Sequence, residues 1–264
     1  MNQIKKRLDL FLVDQGIVDT MEKAQGHILS GNVLVNDEKI DKCGCLVSPE
    51  AKIRLISQPL AYVSRGAEKL RGAHQAFQFE IANRVALDVG ISTGGFTDYL
   101  LQNQAQFVFG VDVGYGQVAM KLQQDPRVAI LERTNARFLT KDSLAKATSP
   151  SPNFFYFADK INLVVMDASF ISITKIMPAL SWVLPETDFI LLVKPQFEAE
   201  KGVVPKGGII IEPKIHAEIL LQVKNTLQNH GFKVIKQCES PIKGTKGNTE
   251  FFFWVKLNKP LSSL

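Results

Sequence analysis

From Val85 onward, the sequence alternates between short apolar runs of strand length and stretches with helical spacing. This alternation is typical of a doubly wound α/β fold, in which helices join parallel strands and cover both faces of the sheet. The runs that we interpret as strands lie at residues 85–89, 107–111, 128–131, 163–166, 189–193 and from 234 onward.

One further apolar run, Phe251 to Val255, follows the run near Val234 across a loop rich in Pro, Gly and Lys. The loop is too short to hold a crossover helix, so the last run is expected to pair antiparallel with its neighbour. We therefore predict a Rossmann-like α/β sheet of seven strands, in which the last strand is antiparallel.

Residues 1–60 have a different pattern, which indicates two short helices and a few short strands. Helical spacing ends at Gly16, Thr20 precedes a second helix, and strand-like runs follow Gly31. The pattern predicts a small α+β domain. The predicted boundaries are 1–60 for this domain, 61–84 for a linker and the helix that leads into the sheet, and 85–264 for the sheet domain.

Composition narrows the class of protein. With 264 residues, 45% of them hydrophobic and 22% charged, the chain is neither disordered nor collagen-like. Its three cysteines form no Cys-x-x-Cys pair and its four histidines are scattered, so we predict no metal site and free thiols. No signal peptide and no apolar stretch of roughly 18 residues is found. We expect a cytoplasmic protein without stable membrane association.

A glycine-rich turn from Gly90 to Phe96 follows the first strand of the sheet. Glycines let the backbone approach a ligand, and the helix that begins there offers free N–H groups. The Gly-x-x-x-Gly-Gly spacing disfavours a nicotinamide dinucleotide. Asp112 ends the next strand, where a carboxylate can accept both hydroxyls of a ribose from either NAD or S-adenosylmethionine. Asp88 either joins this site or caps the glycine turn. Together these features predict a nucleoside cofactor.

Four charged residues are expected to meet at the same edge of the sheet. Asp167 and Lys194 follow strands, Glu250 precedes the antiparallel strand, and Lys69 lies on the helix before the sheet. Two lysines and two carboxylates suit deprotonation of an alcohol that attacks a methyl sulfonium, with Lys194 as the base. The alternative is that these residues are solvated charges at strand ends and on a helix surface.

Motifs along essentially the whole chain resemble those of the TlyA (haemolysin A) family of ribosomal RNA methyltransferases. In chain order they are Tyr62-Val-Ser-Arg-Gly-x-x-Lys69-Leu, Ala-Leu-Asp88-Val-Gly-x-Ser-Thr-Gly-Gly-Phe-Thr-Asp98, Val-Asp112-Val-Gly-Tyr-Gly-Gln, Asp125-Pro-Arg-Val, Glu132-Arg-Thr-Asn135-x-Arg, Met-Asp167-x-Ser-Phe-Ile-Ser, Lys194-Pro-Gln-Phe-Glu198 and Lys-Gly-Asn-x-Glu250. The order and number of these motifs make the resemblance specific.

The resemblance implies an FtsJ-like methyltransferase domain behind a small RNA-binding module. It implies transfer of the methyl group of S-adenosylmethionine to the ribose 2′-oxygen of cytidines in ribosomal RNA, by a tetrad of Lys69, Asp167, Lys194 and Glu250. The resemblance places Gly90, Ser92, Gly94, Gly95 and Phe96 near the methionine end of the cofactor, Asp112 at the ribose and Asn135 on the adenine side. Asp88 is a further cofactor-binding candidate.

Basic residues supply the candidate RNA contacts. Residues 1–60 hold eight basic and eight acidic residues, so charge alone favours a solvated surface there, and only the resemblance favours RNA binding. The net charge of +5 comes from residues 61–84 and 240–264, which predicts positive potential around the catalytic residues. The candidates are Lys5, Lys6 and Arg7 at the start of the first helix, Lys23 on the second, Arg65 in the linker, and Lys243 and Lys246 in the loop before Glu250.

Three other functions stay open at this point. The chain is alternatively a catalytically inactive RNA- or ribosome-binding factor that keeps the cofactor fold, although an inactive protein has no need of the four charged residues. A membrane-active haemolysin is disfavoured because the sequence has neither a membrane span nor a basic amphipathic helix with a wide apolar face. An NAD-dependent enzyme is disfavoured by the glycine spacing.

Overall fold

A computed structural model describes residues 5–36, 38–55, 62–200, 202–244 and 246–257. The chain divides into two compact units, Met1–Ala61 and Tyr62–Leu264. The helix that leads into the sheet therefore belongs to the second unit. The boundary predicted at residues 60 and 61 lies outside the described residues.

The first unit contains the two short helices and the short strands that the sequence pattern predicts. The Thr20 side chain caps the second helix by accepting a hydrogen bond from the Lys23 N–H at 3.2 Å. Leu8, Leu12 and Ile28 are fully buried between the helices and strands. The elements are β1 (Lys6–Arg7), α1 (Leu8–Asp14), α2 (Met21–Leu29), β2 (Val33–Val35), β3 (Glu38–Ile40), β4 (Leu46–Val47) and β5 (Ile53–Leu55).

Lys6 and Arg7 differ from the prediction that they open the first helix. They pair antiparallel with Leu46–Val47, and the helix begins only at Leu8. The reason is that the backbone of Arg7 is extended, with φ −59° and ψ 137°, and no side chain caps the helix there. A second small sheet has the strand order β3-β2-β5.

The second unit is an α/β domain whose strands coincide closely with the predicted apolar runs. Its helices and strands are α3 (Gly66–Phe77), β6 (Val85–Val89), α4 (Gly95–Gln102), β7 (Phe107–Val111), α5 (Met120–Gln123), β8 (Val128–Leu131), β9 (Ile161–Met166), β10 (Asp188–Val193), α6 (Pro195–Glu198), α7 (Pro213–Asn229), β11 (Phe232–Glu239) and β12 (Phe251–Leu257).

The sheet of the second unit has seven strands in the order β11-β12-β10-β9-β6-β7-β8. The last strand, β12, pairs antiparallel with β10 and with β11, and β10, β9, β6, β7 and β8 pair parallel, which confirms the predicted sheet. Because the chain runs from β6 outward in one direction and later returns to β9 on the other side, the carboxyl ends of β6 and β9 flank a switch point. Ligands bind at such a point in open α/β sheets.

Apolar side chains cover both faces of this sheet, as expected for strands buried on both sides. Leu87, Phe109 and Val164 belong to the core on one face, and Ala86, Val108 and Val165 belong to the core on the other face. On the second face Leu70 and Phe77 of α3 pack in the same core. Helix α3 is thereby held against the sheet, so that Lys69 lies close to it.

The connections on either side of β9 differ from the predicted alternation of strands and α-helices. They are built from short 3₁₀ helices: Ala136–Phe138, Asp142–Lys146 and Phe154–Lys160 before β9, and Ile173–Lys175 and Met177–Leu180 after it. Pro150, Pro152 and Pro178 lie in these connections, and proline removes a backbone donor that a longer helix requires. Among the described residues, no helix is long and apolar enough to span a membrane.

Candidate active site

The strand register brings Asp167, Lys194 and Glu250 to the same edge of the sheet. Met166 on β9 pairs with Leu191 on β10, and Val193 on β10 pairs with Phe251 on β12. Each charged residue directly follows or precedes one of these paired residues, so their side chains are neighbours. Sequence reasoning predicted this convergence from strand ends alone.

An ion-pair network joins all four predicted catalytic residues. Asp167 Oδ1 lies 2.5 Å from Lys194 Nζ, and Asp167 Oδ2 lies 3.9 Å from Lys69 Nζ. Lys69 Nζ also donates a hydrogen bond to Glu250 Oε2 at 2.6 Å. The side chain of Glu250 is 3% exposed, that of Lys194 8% and that of Asp167 21%. Two carboxylates and two ammonium groups are therefore held together, with Asp167 nearest to solvent.

Ser169 adds a contact that sequence reasoning did not assign. Lys194 Nζ donates a hydrogen bond to Ser169 Oγ at 2.8 Å. Ser169 is itself exposed and follows Asp167 by two residues. A hydroxyl in the quoted motif Met-Asp-x-Ser was the only signal in the sequence for this contact.

The loop before β12 fixes the position of Glu250. The buried side chain of Asn248 accepts a hydrogen bond from the Ile210 N–H at 2.9 Å and donates one to the Gly208 carbonyl at 2.8 Å. Gly244 lies so close to Glu250 that an added Cβ would be 2.4 Å from Oε1. A side chain at position 244 is therefore excluded, and the loop can pack directly on the carboxylate.

A cavity of about 360 Å³ opens at the carboxyl ends of β6, β7 and β9, beside this network. Asp167 and Ser169 line it, so they belong to both the cavity and the ion-pair network. Apolar side chains of Val89, Val111 and Ile176 form part of its wall. Four of the predicted cofactor-binding residues line it as well: Gly90, Ser92, Asp112 and Asn135.

The residues of the cavity fit a nucleoside cofactor. Gly90 has φ +87°, and a Cβ there would lie 2.6 Å from the Asp167 carbonyl oxygen, so only glycine fits between the two strand ends. Asp112 accepts hydrogen bonds from the N–H groups of Ser92 and Gly114 at 2.8 and 2.7 Å. A carboxylate has about four acceptor positions, so Asp112 retains capacity for ribose hydroxyls.

The other four predicted cofactor residues, Asp88, Gly94, Gly95 and Phe96, are buried and do not line the cavity. Asp88 accepts hydrogen bonds from the N–H and the hydroxyl of Thr97 at 3.1 and 2.7 Å. Its Oδ1 is buried without a described hydrogen-bond partner, and burial raises the pKa of Asp88 to about 7. By accepting these bonds from Thr97, the carboxyl group of Asp88 caps the start of α4.

Gly94 and Gly95 permit close packing around the start of α4. Gly94 has φ +95°, and an added Cβ would lie 2.1 Å from Leu122 Cδ1. A Cβ on Gly95 would lie 2.9 Å from the Ala67 nitrogen at the start of α3. These contacts are between residues far apart in the chain, so the local pattern gave no indication of them.

The predicted RNA-binding residues of the first unit lie on its surface. Lys5 is exposed, and three others form ion pairs within the unit. Those pairs are Lys6–Asp14, Arg7–Asp9 and Lys23–Asp19. The pairs Lys6–Asp14 and Lys23–Asp19 are exposed and therefore weak, so they do not prevent a phosphate from competing for the cation. Arg7 is held more firmly, because it donates two hydrogen bonds to the buried carboxylate of Asp9.

The predicted RNA-binding residues of the second unit, Arg65, Lys243 and Lys246, are also exposed. Arg65 lies at the start of α3, the helix that carries Lys69. Lys243 and Lys246 lie in the loop whose Gly244 packs against Glu250. Three exposed cations therefore lie on segments that also contribute to the ion-pair network.

A doubly wound sheet with a cofactor-sized cavity at its switch point, next to a Lys-Asp-Lys-Glu network, defines the Rossmann-like methyltransferase class. Residues 62–257 match the FtsJ-like methyltransferase family. Given this match and the relatives described next, the chain belongs to the FtsJ-like methyltransferases and, within them, to the TlyA (haemolysin A) family, as the motifs predicted.

Two relatives and one solved structure illustrate the similarity. The chain is 39% identical to the 16S/23S rRNA (cytidine-2′-O)-methyltransferase TlyA of Mycobacterium tuberculosis, over 96% of the chain and 90% of that protein. It is 40% identical to Hemolysin A of Brachyspira hyodysenteriae, over 93% of the chain and 97% of that protein. A hemolysin-like protein from Streptococcus thermophilus superposes with a TM-score of 0.72 at 34% identity, over 97% of this chain and 90% of that one.

Proposed function

We propose that this protein transfers the methyl group of S-adenosylmethionine to the 2′-hydroxyl of cytidines in ribosomal RNA. The observation that carries the proposal is the shared position of Asp167, which lines the cavity and also contacts both lysines of the network. A hydroxyl bound at the mouth of this cavity meets the ammonium and carboxylate groups at once. The M. tuberculosis relative is named for this reaction.

Lys194 is the proposed general base. Its Nζ takes the proton of the attacking 2′-hydroxyl after giving up a proton of its own. Asp167 Oδ1 holds Nζ in place at 2.5 Å, and the ammonium group of Lys69 lies 3.9 Å from the other oxygen of the same carboxylate. Glu250 in turn holds Lys69 at 2.6 Å.

The cavity residues hold the methyl donor. S-adenosylmethionine, when bound, supplies an activated methyl group on its sulfonium. When the donor is bound, Asp112 would accept its ribose hydroxyls, Asn135 would contact its adenine side, and Gly90 would let the backbone approach its methionine end; all three residues line the cavity. Positioning contributes most to the rate, because the donor is already activated and the chain has to align two reactants.

Exposed cations and the first unit supply contacts to RNA. Phosphate contacts position an RNA without reading its sequence, and lysine and arginine provide them. Arg65, Lys243 and Lys246 lie on the segments that carry Lys69 and Glu250, where they can hold the backbone of the target strand. Lys5, Lys6, Arg7 and Lys23 supply further phosphate contacts on the first unit. A ribosomal substrate agrees with the cytoplasmic location expected from the sequence.

A labelled-methyl assay tests this function. The purified protein is incubated with methyl-labelled S-adenosylmethionine and either protein-free ribosomal RNA or isolated ribosomal subunits. DNA of a matching ribosomal sequence is the control, because it lacks the 2′-hydroxyl. We expect label in RNA and none in DNA.

The position of the label decides the chemistry. Alkali cleaves RNA through the 2′-hydroxyl, so a 2′-O-methyl group protects its own linkage and the label appears in an alkali-resistant dinucleotide containing cytidine. Label on a base appears in ordinary mononucleotides after the same treatment. Absence of label from every RNA substrate, or label only in mononucleotides, contradicts the proposal.

A further inference from the structure

We infer that Ser169 is a positioning residue for Lys194: its hydroxyl and Asp167 together fix the orientation of the Lys194 amine toward the substrate hydroxyl. The inference rests on the proposed function. It assigns a role to a residue outside the four charged groups.

The contacts of Lys194 Nζ carry the argument. An ammonium group has three N–H donors. Among the described residues, Ser169 Oγ accepts a hydrogen bond from one of them at 2.8 Å, and Asp167 Oδ1 lies 2.5 Å from Nζ as its ion-pair partner. When Nζ loses one proton, two N–H bonds remain, and one of them keeps the hydrogen bond to Ser169. The lone pair then occupies the remaining tetrahedral position, where it can accept the proton of the 2′-hydroxyl.

The surroundings of Ser169 favour a fixed hydroxyl. Phe170 has φ +64°, a backbone conformation that is costly for a bulky residue and is kept only where neighbouring contacts enforce it. The Phe170 ring centroid lies 5.2 Å from that of Phe197 although Phe170 is 90% exposed, and Lys194 Nζ lies 5.8 Å from the Phe197 ring centroid. The turn that carries Ser169 therefore lies beside Phe197 and Lys194.

A second contact holds the same segment. Glu198 accepts hydrogen bonds from the Ser172 hydroxyl at 2.5 Å and from the Ile173 N–H at 2.9 Å. Glu198 is the last residue of α6, the short helix that begins directly after Lys194. The segment with Ser169 is therefore tied to the segment with Lys194 by a contact that does not involve Ser169, and this supplies a matched control.

The charged groups around Lys194 come from several elements. Asp167 follows β9, Lys69 lies on α3, Glu250 precedes β12, and Glu198 lies on α6. Asp167 contacts Nζ directly, Lys69 contacts Asp167 at 3.9 Å, and Glu250 contacts Lys69. Removing the Ser169 hydroxyl leaves all of these charges in place. It removes one acceptor that stabilises the ammonium form of Lys194.

Single-turnover methyl transfer, measured from pH 6.5 to 9.5 with wild type, Ser169→Ala and Ser169→Thr, tests the inference. We expect Ser169→Ala to lower the maximal rate by about tenfold, with KM values for RNA and S-adenosylmethionine within about twofold of wild type. We also expect the acid limb of its profile to move to lower pH, because the ammonium has lost an acceptor. Ser169→Thr, which keeps the hydroxyl, is expected to restore both.

Ser172→Ala is the matched control, since it removes a hydroxyl contact from the same segment without touching Lys194, while the Ile173 N–H still donates to Glu198 and keeps the segment tied to α6. We expect it to leave the acid limb in place. An unchanged rate and limb in Ser169→Ala, a limb shift in Ser172→Ala, or failure of Ser169→Thr to restore the wild-type profile overturns the inference. Absence of methyl transfer by the wild type is a different result, because it refutes the proposed function itself.

Discussion

The two opposite edges of the parallel strands each carry a carboxylate held by two cations, but the two clusters are built differently. At the carboxyl ends of β9 and β10, Asp167 contacts Lys194 and Lys69 beside the cavity. At the opposite end, Asp188 accepts a hydrogen bond from Arg84 at 2.7 Å and lies 3.2 Å from Lys256 Nζ. The sheet thus offers an internal comparison between two similar sets of charges.

Asp188 is held by fixed donors. Trp254 Nε1 donates a hydrogen bond to Asp188 Oδ1 at 2.7 Å, and Arg84 also donates to the Asn162 carbonyl at 2.6 Å. Arginine does not lose its proton in proteins and presents its donors in a rigid fork. This cluster ties β6, β9, β10 and β12 together at one edge, which is a structural role.

The cluster around Asp167 differs in two respects. Its cations are lysines, which can lose a proton, and its central carboxylate lines a cavity. The comparison shows that ion pairing by itself does not mark a catalytic site in this fold. A carboxylate that borders a cavity and contacts exchangeable ammonium groups does.

The largest expected effect separates the two clusters by activity. Lys194→Met removes the proposed base, and loss of a general base typically costs a factor of about 10² to 10⁴ in rate. We expect this loss in kcat/KM, measured by methyl transfer to ribosomal RNA. Lys194→Arg is expected to be similarly impaired, because arginine keeps the positive charge but cannot accept a proton. Near-normal turnover by Lys194→Arg contradicts the role as base.

The next effect concerns stability at the opposite end of the sheet. Asp188→Ala leaves Arg84, whose side chain is 20% exposed, without its carboxylate partner. Breaking a buried ion pair in this way costs about 3 kcal/mol in the free energy of unfolding. We expect that loss in urea denaturation, with kcat/KM of the folded fraction within about twofold of wild type. A large loss of kcat/KM at unchanged stability contradicts the structural role.

Asp88 differs from Asp167 and Asp188, because its described hydrogen bonds come from Thr97 and not from a cation. We expect its contribution to the free energy of unfolding to depend on pH. Burial raises its pKa from 3.8 to about 7, so between these values the folded state keeps a proton that the unfolded state has lost. Stability from this group is therefore present at low pH and falls as pH rises. Between pH 5 and pH 7 the expected loss is about 2 kcal/mol.

Comparison with Asp88→Asn isolates this contribution, because asparagine does not titrate and the other groups are common to both proteins. Urea denaturation at several pH values is expected to show a steeper decline for wild type than for the variant between pH 5 and pH 7. Parallel declines of the two proteins contradict a protonated Asp88.

The smallest effect is expected for Lys256→Met at the structural cluster. The Lys256 side chain is 43% exposed, and exposed ion pairs contribute about 0 to 1 kcal/mol. We expect a change below about 1 kcal/mol in the free energy of unfolding and no change in methyl transfer. A loss as large as that of Asp188→Ala implies that Lys256, rather than Arg84, is the main partner of Asp188.

Strand ends were predictable from the sequence, and so was the convergence of Asp167, Lys194 and Glu250, because sheet topology alone places these residues at one edge. The position of Asp188 was not, since its partners Arg84 and Trp254 lie 104 and 66 positions away along the chain. Such contacts depend on how strands pair in three dimensions, and an apolar pattern does not specify individual side-chain partners.

The glycine-rich turn from Gly90 to Phe96 shows the same limit, because the sequence does not specify what each glycine packs against. Gly90 lines the cavity, and its role in cofactor binding stays a prediction that rests on the close approach a glycine after a strand permits. Gly94 and Gly95 have the same local signal but pack against Leu122 and the start of α3. Ser169 was overlooked because its contact with Lys194 joins residues 25 positions apart in the chain, which the sequence does not reveal.

The most direct test of the account compares wild type, Lys194→Met and Asp188→Ala in one assay. Each protein, at equal concentration of folded molecules, is incubated with ribosomal RNA and S-adenosylmethionine, and 2′-O-methylcytidine in the digested RNA is measured by mass spectrometry. We predict product from wild type and Asp188→Ala, and at least about a hundredfold less from Lys194→Met. Equal product from Lys194→Met and wild type, or none from wild type, contradicts the account.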